Sequence, residues 1–158
     1  QLKKIRLASN GFYNLGLERA KIRDLTGAVE ALKKCLMLNK YHIDGRNLLG
    51  LIYYEMGEVS SRLADLTVVT SDNPRDEEPM DIINDILQGV HKADGEYVTI
   101  PDRKEAIRYC MENAKDGDII VLAGKGHEDY QEIKGVKHHM DERELIADII
   151  KENPDIRL

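Results

Sequence analysis

The strongest constraint on the fold is an alternation of short apolar runs with amphipathic helical stretches, which starts at Val59 and continues almost to the end of the chain. Runs separated by helices of about 10–15 residues are typical of a parallel α/β sheet. The sequence therefore predicts an α/β domain over residues 59–158. The predicted strands are LTVVTSD, EYVTIP and DGDIIVLAG, and the predicted helices are MDIINDILQGV, RKEAIRYCMENAK and ERELIADIIKE.

Residue types at the ends of these segments support the assignments. Asp102 and Asp141 are the expected N-caps of the last two helices, because their carboxylates can accept hydrogen bonds from free backbone N–H groups. DGDIIVLAG is a continuous apolar run, and such runs are typical of strands buried on both faces. A short extended segment is predicted around Val136.

Residues 1–58 carry a different pattern. Gly16 and Gly50, each preceded by a leucine, lie 34 residues apart, which is the period of the tetratricopeptide repeat. An apolar stripe at helical spacing runs through GAVEALKKCLMLN, and Gly57 is expected to be the turn residue after the next helix. Residues 7–58 thus resemble about one and a half tetratricopeptide repeats, and the segment is predicted to be an all-α helical hairpin.

Two functions stay open for this hairpin. Tetratricopeptide repeats usually form concave surfaces that bind a peptide or protein partner, but three or more repeats are normally needed for stability. A hairpin that covers apolar surface is therefore the simpler interpretation, and a working peptide groove is the alternative.

Composition and charge exclude several classes of protein. Residues 1–58 carry 10 Lys and Arg against 6 Asp and Glu, whereas residues 59–158 carry 13 against 23. The basic residues are spread over helical segments, so no nucleic-acid partner is expected. No apolar run reaches the roughly 18 residues of a membrane span, and the chain opens without a signal-like stretch, so a cytoplasmic protein is expected. Cys35 and Cys110 lack the spacing of a zinc site.

Two polar loops carry the candidate functional residues. They follow the first and third predicted strands, and ligands of parallel α/β sheets bind beyond the carboxyl ends of the strands. In SDNPR, Arg75 can grip a carboxylate with two parallel hydrogen bonds, and Pro74 would stiffen the turn. In GKGHE, Gly124 would let the backbone approach a ligand, and Glu128 could receive an ammonium group. Together they would suit an amino acid, although each loop alone is better explained as a structural turn.

Other polar residues predict no catalytic residue and no metal site. His127 has no neighbouring Ser or Cys nucleophile. His138 and His139 would point to opposite faces of a strand, so they cannot easily share a metal ion. The chain contains no G-x-x-x-x-G-K-[ST] phosphate-binding loop.

Three motifs that occur in order carry a family resemblance. They are DNPR, DR-x-x-AI and AGKGHE-x-YQ. With them, residues 57–152 resemble the C-terminal domain of Mur ligases of the MurE type, the enzymes that add the third amino acid to UDP-N-acetylmuramoyl-dipeptide in peptidoglycan synthesis. The resemblance implies a Rossmann-like, mostly parallel sheet.

The resemblance also implies a role for each loop. The DNPR form implies recognition of meso-diaminopimelate rather than lysine. Arg75 would hold the distal carboxylate of this amino acid, and the rest of the motif would shape the pocket. The implied substrate-binding residues are Asp72, Asn73, Pro74, Arg75, Gly124 and Glu128.

Several parts of the family enzyme have no counterpart in this sequence. Full-length members use ATP and magnesium in a central domain with a P-loop, so this chain alone is expected to bind neither cofactor and to be inactive. The opening strand of the C-terminal domain is also missing. Residues 48–54 could replace it or be helical, and the 34-residue spacing favours a helix.

The sequence leaves two hypotheses about function. In the first, the chain is a truncated or chimeric fragment of an ATP-dependent, amide-bond-forming ligase, which keeps recognition of meso-diaminopimelate. In the alternative, it is a helical-repeat fusion that acts as a protein-interaction or purely structural module.

Overall fold

The architecture is given by a computed structural model, which describes residues 2–74, 77–124, 128–154 and 156. Within these residues the chain forms six helices and four short strands. None of the described helices has the length and apolar character that a membrane crossing requires. The helices are α1 (Leu2–Lys21), α2 (Leu25–Leu38), α3 (Ile43–Leu63), α4 (Pro79–Lys92), α5 (Arg103–Asn113) and α6 (Glu142–Glu152), and the strands are β1 (Thr67–Val69), β2 (Tyr97–Thr99), β3 (Tyr130–Ile133) and β4 (Val136–His139).

The chain divides into two compact units. The helical unit consists of Gln1–Ala64 and Asp85–Gly95, and the sheet unit consists of Asp65–Asn84 and Glu96–Leu158. Helix α4 therefore begins in the sheet unit and ends in the helical unit.

Helices α1 and α2 of the helical unit pack closely at small residues. A Cβ added at Gly16 would lie 2.7 Å from Leu32 Cγ and 3.4 Å from Ala28 O, so only glycine allows this approach. Leu32, Ala28 and Cys35 are fully buried. The buried Ser9 hydroxyl donates to Cys35 O at 3.0 Å, which satisfies a polar group inside this apolar contact.

Helix α3 is continuous through residues 48–54, so the expectation of a helix there is confirmed. The expectation that Gly57 ends a helix is wrong, because α3 continues to Leu63. A Cβ at Gly57 would overlap the backbone oxygen of Ile86, and one at Gly89 would overlap that of Tyr54. These two glycines let α3 and the second half of α4 approach each other.

The sheet unit contains a parallel pair of strands. Thr67, Val68 and Val69 of β1 pair with Tyr97, Val98 and Thr99 of β2. The parallel pairing predicted from the alternation is thus confirmed for these two strands. Asp102 caps α5 by accepting from the N–H groups of Lys104 and Glu105, and Asp141 caps α6 by accepting from that of Arg143, as the sequence indicates.

The prediction of a third strand in DGDIIVLAG is wrong, since the described residues 118–123 form no strand. Ile120 and Leu122 pack against the core of Ile107, Met111 and Ile149. Ile119 and Val121, in contrast, are 87% and 79% exposed. The segment therefore buries one side only, instead of the two sides that its apolar composition predicts.

A second sheet replaces the single extended segment predicted around Val136. Strands β3 and β4 form an antiparallel hairpin, with Ile133 opposite Val136. Lys134 and Gly135, the two residues between them, have φ values of 50° and 76°. Positive φ at both positions is typical of the tight type I′ hairpin turn.

Candidate functional site

The first candidate loop lies at the carboxyl end of β1. The Ser71 N–H donates to Pro101 O, just beyond β2, at 3.2 Å, which fixes the start of the loop against the neighbouring strand. Asn73 is only 6% exposed, and Pro74 is also buried. Residues 71–74 are therefore held inside the sheet unit instead of projecting as a solvated turn.

Asn73 joins this loop to the second candidate loop. Its Nδ2 donates to Glu128 Oε2 at 2.7 Å, and its Oδ1 accepts from the Glu132 N–H at 2.9 Å. Both ends of the side-chain amide are used, so the orientation of Asn73 is fixed by its partners. A bond to a carboxylate is also among the stronger hydrogen bonds of proteins.

Gln131 of β3 makes a second connection between the loops. Its Nε2 donates to Asp72 O at 2.7 Å and lies 3.4 Å from Ser71 Oγ. Tyr130, the preceding residue, directs its hydroxyl toward Glu128 Oε1 at 3.4 Å. Residues of β3 therefore hold both the backbone of the first loop and the carboxylate of the second.

Gly124 adopts a conformation that favours glycine at this position. Its φ is +112°, which is outside the range that side chains normally allow. A Cβ added there would lie 3.7 Å from Asp72 Oδ2, so the backbone of the second loop passes close to this carboxylate. The site thus brings two carboxylates, Asp72 and Glu128, beside a closely approachable backbone.

The structure brings together five of the six predicted site residues, which are Asp72, Asn73, Pro74, Gly124 and Glu128. The sixth, Arg75, lies outside the described residues, as do Lys125, Gly126 and His127. The Asn73–Glu128 bond brings the two loops together, as expected, but they do not follow two strands of one sheet, because residues 118–123 before the second loop form no strand.

Sequence reasoning gave no role to Tyr130, Gln131 or the backbone of Glu132, although the first two belong to the motif AGKGHE-x-YQ. Their place in that motif, within three residues of Glu128, was the sequence signal that could have pointed to them.

The arrangement can accept a cationic group. Clustered carboxylates attract an ammonium ion, and neighbouring amides fix the direction of the oxygens. The described residues do not fit an ATP–magnesium site: the chain lacks a P-loop sequence, and the described side chains include no group of three or more His, Cys, Asp or Glu placed to hold a metal ion. The two carboxylates therefore favour an ammonium group as the ligand.

A parallel strand pair with helices between and after its strands, and a polar loop beyond the carboxyl end of β1, defines a unit of the α/β class. The chain belongs to the Mur ligase family, because residues 45–126 match the family model described as the Mur ligase, glutamate ligase domain.

Individual relatives agree with this assignment. The chain is 52% identical over 97 residues to the UDP-N-acetylmuramoyl-L-alanyl-D-glutamate–2,6-diaminopimelate ligase of Clostridium botulinum, which covers 61% of the chain and 20% of the relative. The ligase of the same name from Bacteroides fragilis is 53% identical over 95 residues, which cover 60% of the chain and 20% of the relative. This chain therefore spans about a fifth of the length of these curated relatives.

A solved structure of a ligase with that name is also similar. It matches with a TM-score of 0.52 and 31% identity, and the match covers 66% of this chain and 28% of the other. The first hypothesis is thereby supported at the level of homology to part of a ligase, whereas the comparisons give the helical-repeat alternative no support.

Proposed function

We propose that the sheet unit is the amino-acid-recognition part of a MurE-type ligase and that it binds meso-diaminopimelate. The hydrogen bond between Asn73 and Glu128 carries this proposal, because it joins two loops that are 55 residues apart in sequence. The relatives are named as 2,6-diaminopimelate ligases, and the two loops carry the motifs DNPR and AGKGHE-x-YQ, on which the resemblance to MurE-type ligases rests.

Each loop supplies a complementary part of the proposed site. Glu128 and Asp72 would receive the ammonium group of the amino acid, and Asn73 aims the Glu128 carboxylate. Gly124 leaves room for the ligand near the backbone, and Pro74 stiffens the first loop. Arg75 would hold the distal carboxylate with two parallel bonds; its role rests on the DNPR motif alone.

The reaction of the whole ligase is outside the proposed capacity of this chain. Forming the amide bond would need ATP and magnesium, and the described residues do not fit them. We therefore propose a fragment that recognises the incoming amino acid in the cytoplasm and is inactive by itself. The Rossmann-like character of the sheet and the boundary between domains at residues 58 and 59 belong to the same proposal.

The tetratricopeptide-like character of residues 1–58 is a further part of the proposal. It is supported by the 34-residue spacing of Gly16 and Gly50 and by the close contact of Gly16 with Leu32. In this proposal the helices cover apolar surface, and the chain is a chimera of a helical repeat and a ligase fragment.

Calorimetric titration of the intact chain tests the proposed function. We expect saturable heat with meso-diaminopimelate and much weaker binding of L-lysine, which lacks the distal carboxylate. Arg75→Ala should remove the preference between the two ligands, and Glu128→Gln should weaken both about tenfold or more. Arg108→Ala, in α5, is the control and should leave both affinities unchanged. Absence of heat at millimolar meso-diaminopimelate from folded protein would refute the proposal.

A further inference from the structure

Arg103 occupies an unusual position for a cation. It is the first residue of α5 and is only 5% exposed. A positive charge at a helix N-terminus is disfavoured by the helix dipole, and a buried charge needs partners to offset its lost hydration. The contacts of the guanidinium must therefore offset both the unfavourable helix dipole and the lost hydration.

The guanidinium joins two other segments of the sheet unit. Its Nε donates to Glu142 Oε1 at 2.6 Å, and one terminal nitrogen donates to Ala123 O at 3.0 Å. Glu142 is the first residue of α6, where a carboxylate is favoured by the dipole, and its side chain is 14% exposed. The ion pair with Glu142 thus orients the guanidinium, and a terminal nitrogen of the same guanidinium bonds the carbonyl directly before Gly124.

We propose that Arg103 is a positioning residue, which holds the peptide group between Ala123 and Gly124 in the place that binding at the candidate site requires. The inference rests on the proposed function of that site. Gly124, directly after the anchored carbonyl, has a φ of +112°, which side chains rarely allow. Fixing this carbonyl at one end of the loop complements the Asn73–Glu128 bond at the other.

The planar guanidinium suits this task in a way that an ammonium group does not. Arginine presents several N–H donors in a rigid fork, so it can bond Glu142 and Ala123 at the same time in fixed directions. Lysine keeps the charge and can pair with Glu142, but its single nitrogen has no fork to reach both acceptors. Arg103→Lys therefore keeps the buried positive charge but removes the bond that anchors the Ala123 carbonyl.

Two readouts on Arg103→Lys test the inference. The amide of Gly124 belongs to the same peptide group as Ala123 O, so its ¹⁵N resonance reports the bond directly. We expect this resonance to move and the affinity for meso-diaminopimelate to fall about tenfold, with the helical circular dichroism signal retained. Arg108→Lys is the matched control, because Arg108 lies on the same helix as Arg103 and also pairs with a glutamate of α6, Glu152, at 2.9 Å. This variant should change neither readout.

An unchanged Gly124 resonance together with unchanged affinity in Arg103→Lys would overturn the inference. If wild-type protein binds no meso-diaminopimelate, the proposed function fails, whereas the Gly124 resonance still decides whether Arg103 holds the loop. Should Arg103→Lys not fold, Glu142→Gln removes the charge that orients the guanidinium. That variant is expected to move the Gly124 resonance in the same direction, and an unmoved resonance would equally overturn the inference.

Discussion

The interactions that join segments inside the helical unit differ from those that join segments inside the sheet unit. In the helical unit, Gly57 and Gly89 allow backbones to approach within a distance that excludes any side chain. In the sheet unit, Asn73, Gln131 and Arg103 connect segments through hydrogen bonds with fixed partners. Small residues therefore set the distances between helices in the first unit, whereas the candidate site depends on the placement of polar groups.

The largest effect is expected from Gly89→Ala in the helical unit. Alanine normally stabilises a helix interior relative to glycine by about 1 kcal/mol. At this position the Cβ would overlap Tyr54 O, so we expect the free energy of unfolding to fall by about 3 kcal/mol or more. Chemical denaturation measures the change.

Gly11→Ala in α1 is the matched control for this substitution. Nothing lies within 4 Å of a Cβ at Gly11, so this variant should gain stability by about 1 kcal/mol or less. If Gly89→Ala were as stable as Gly11→Ala, close backbone contact would not be what holds α3 and α4 together.

Asn73→Ala should produce the next largest effect, now in the sheet unit. It leaves the Glu128 carboxylate and the Glu132 N–H without the amide that each contacts. We expect a loss of about 1–3 kcal/mol in the free energy of unfolding and at least about tenfold weaker binding of meso-diaminopimelate. Denaturation and calorimetry measure the two effects. The control Asn113→Ala removes an exposed side-chain bond to Tyr109 O and should change neither.

Ser61→Ala is the counterpart of Asn73→Ala in the helical unit, because it also removes a buried hydrogen-bonding side chain. The buried Ser61 hydroxyl donates to Val90 O at 3.1 Å and accepts from the Gly95 N–H at 3.0 Å, both within the helical unit. Its loss should cost about 1–2 kcal/mol of stability with no change in ligand affinity. Weaker binding by Ser61→Ala at a temperature where it is fully folded would contradict the division of roles between the units.

The smallest effect concerns acid stability at Asp141. Hydrogen bonds from Arg143 lower the pKa of this capping carboxylate to about 2. Because the folded pKa lies below the ordinary value of about 4, its contribution is complete above pH of about 4 and is lost as the pH falls through about 2. Asp141→Asn keeps a good cap and cannot titrate, so its stability should vary less over this range. Acid titrations that superimpose for the two proteins would contradict this assignment.

The sequence predicted those parts of the fold that depend on local patterns. Amphipathic periodicity located α4, α5 and α6, and the residue types of Asp102 and Asp141 located two helix starts. Gly57 was assigned wrongly because a glycine that ends a helix and a glycine that makes room for a neighbour look alike in sequence. Residues 118–123 were assigned wrongly because a strand needs a partner, which composition alone does not supply.

The candidate site was also predictable only in part, because its motifs are local but the partners of its side chains are not. The two loops were expected to lie together, and the Asn73–Glu128 bond joins them. The reasoning from strand ends holds for the first loop only, because residues 118–123, which precede the second loop, form no strand. Gln131 and Arg103 both lie in motifs, but their partners were not predictable, because each bonds a backbone carbonyl whose position only the folded chain defines.

A titration of ¹⁵N-labelled protein with meso-diaminopimelate decides whether the two loops form one binding site. We expect the Asn73 side-chain amide and the Gly124 backbone amide to shift together along one saturable curve. If neither resonance moves at millimolar ligand, or if the shifts are confined to the helical unit, the two loops do not form a binding site for this amino acid.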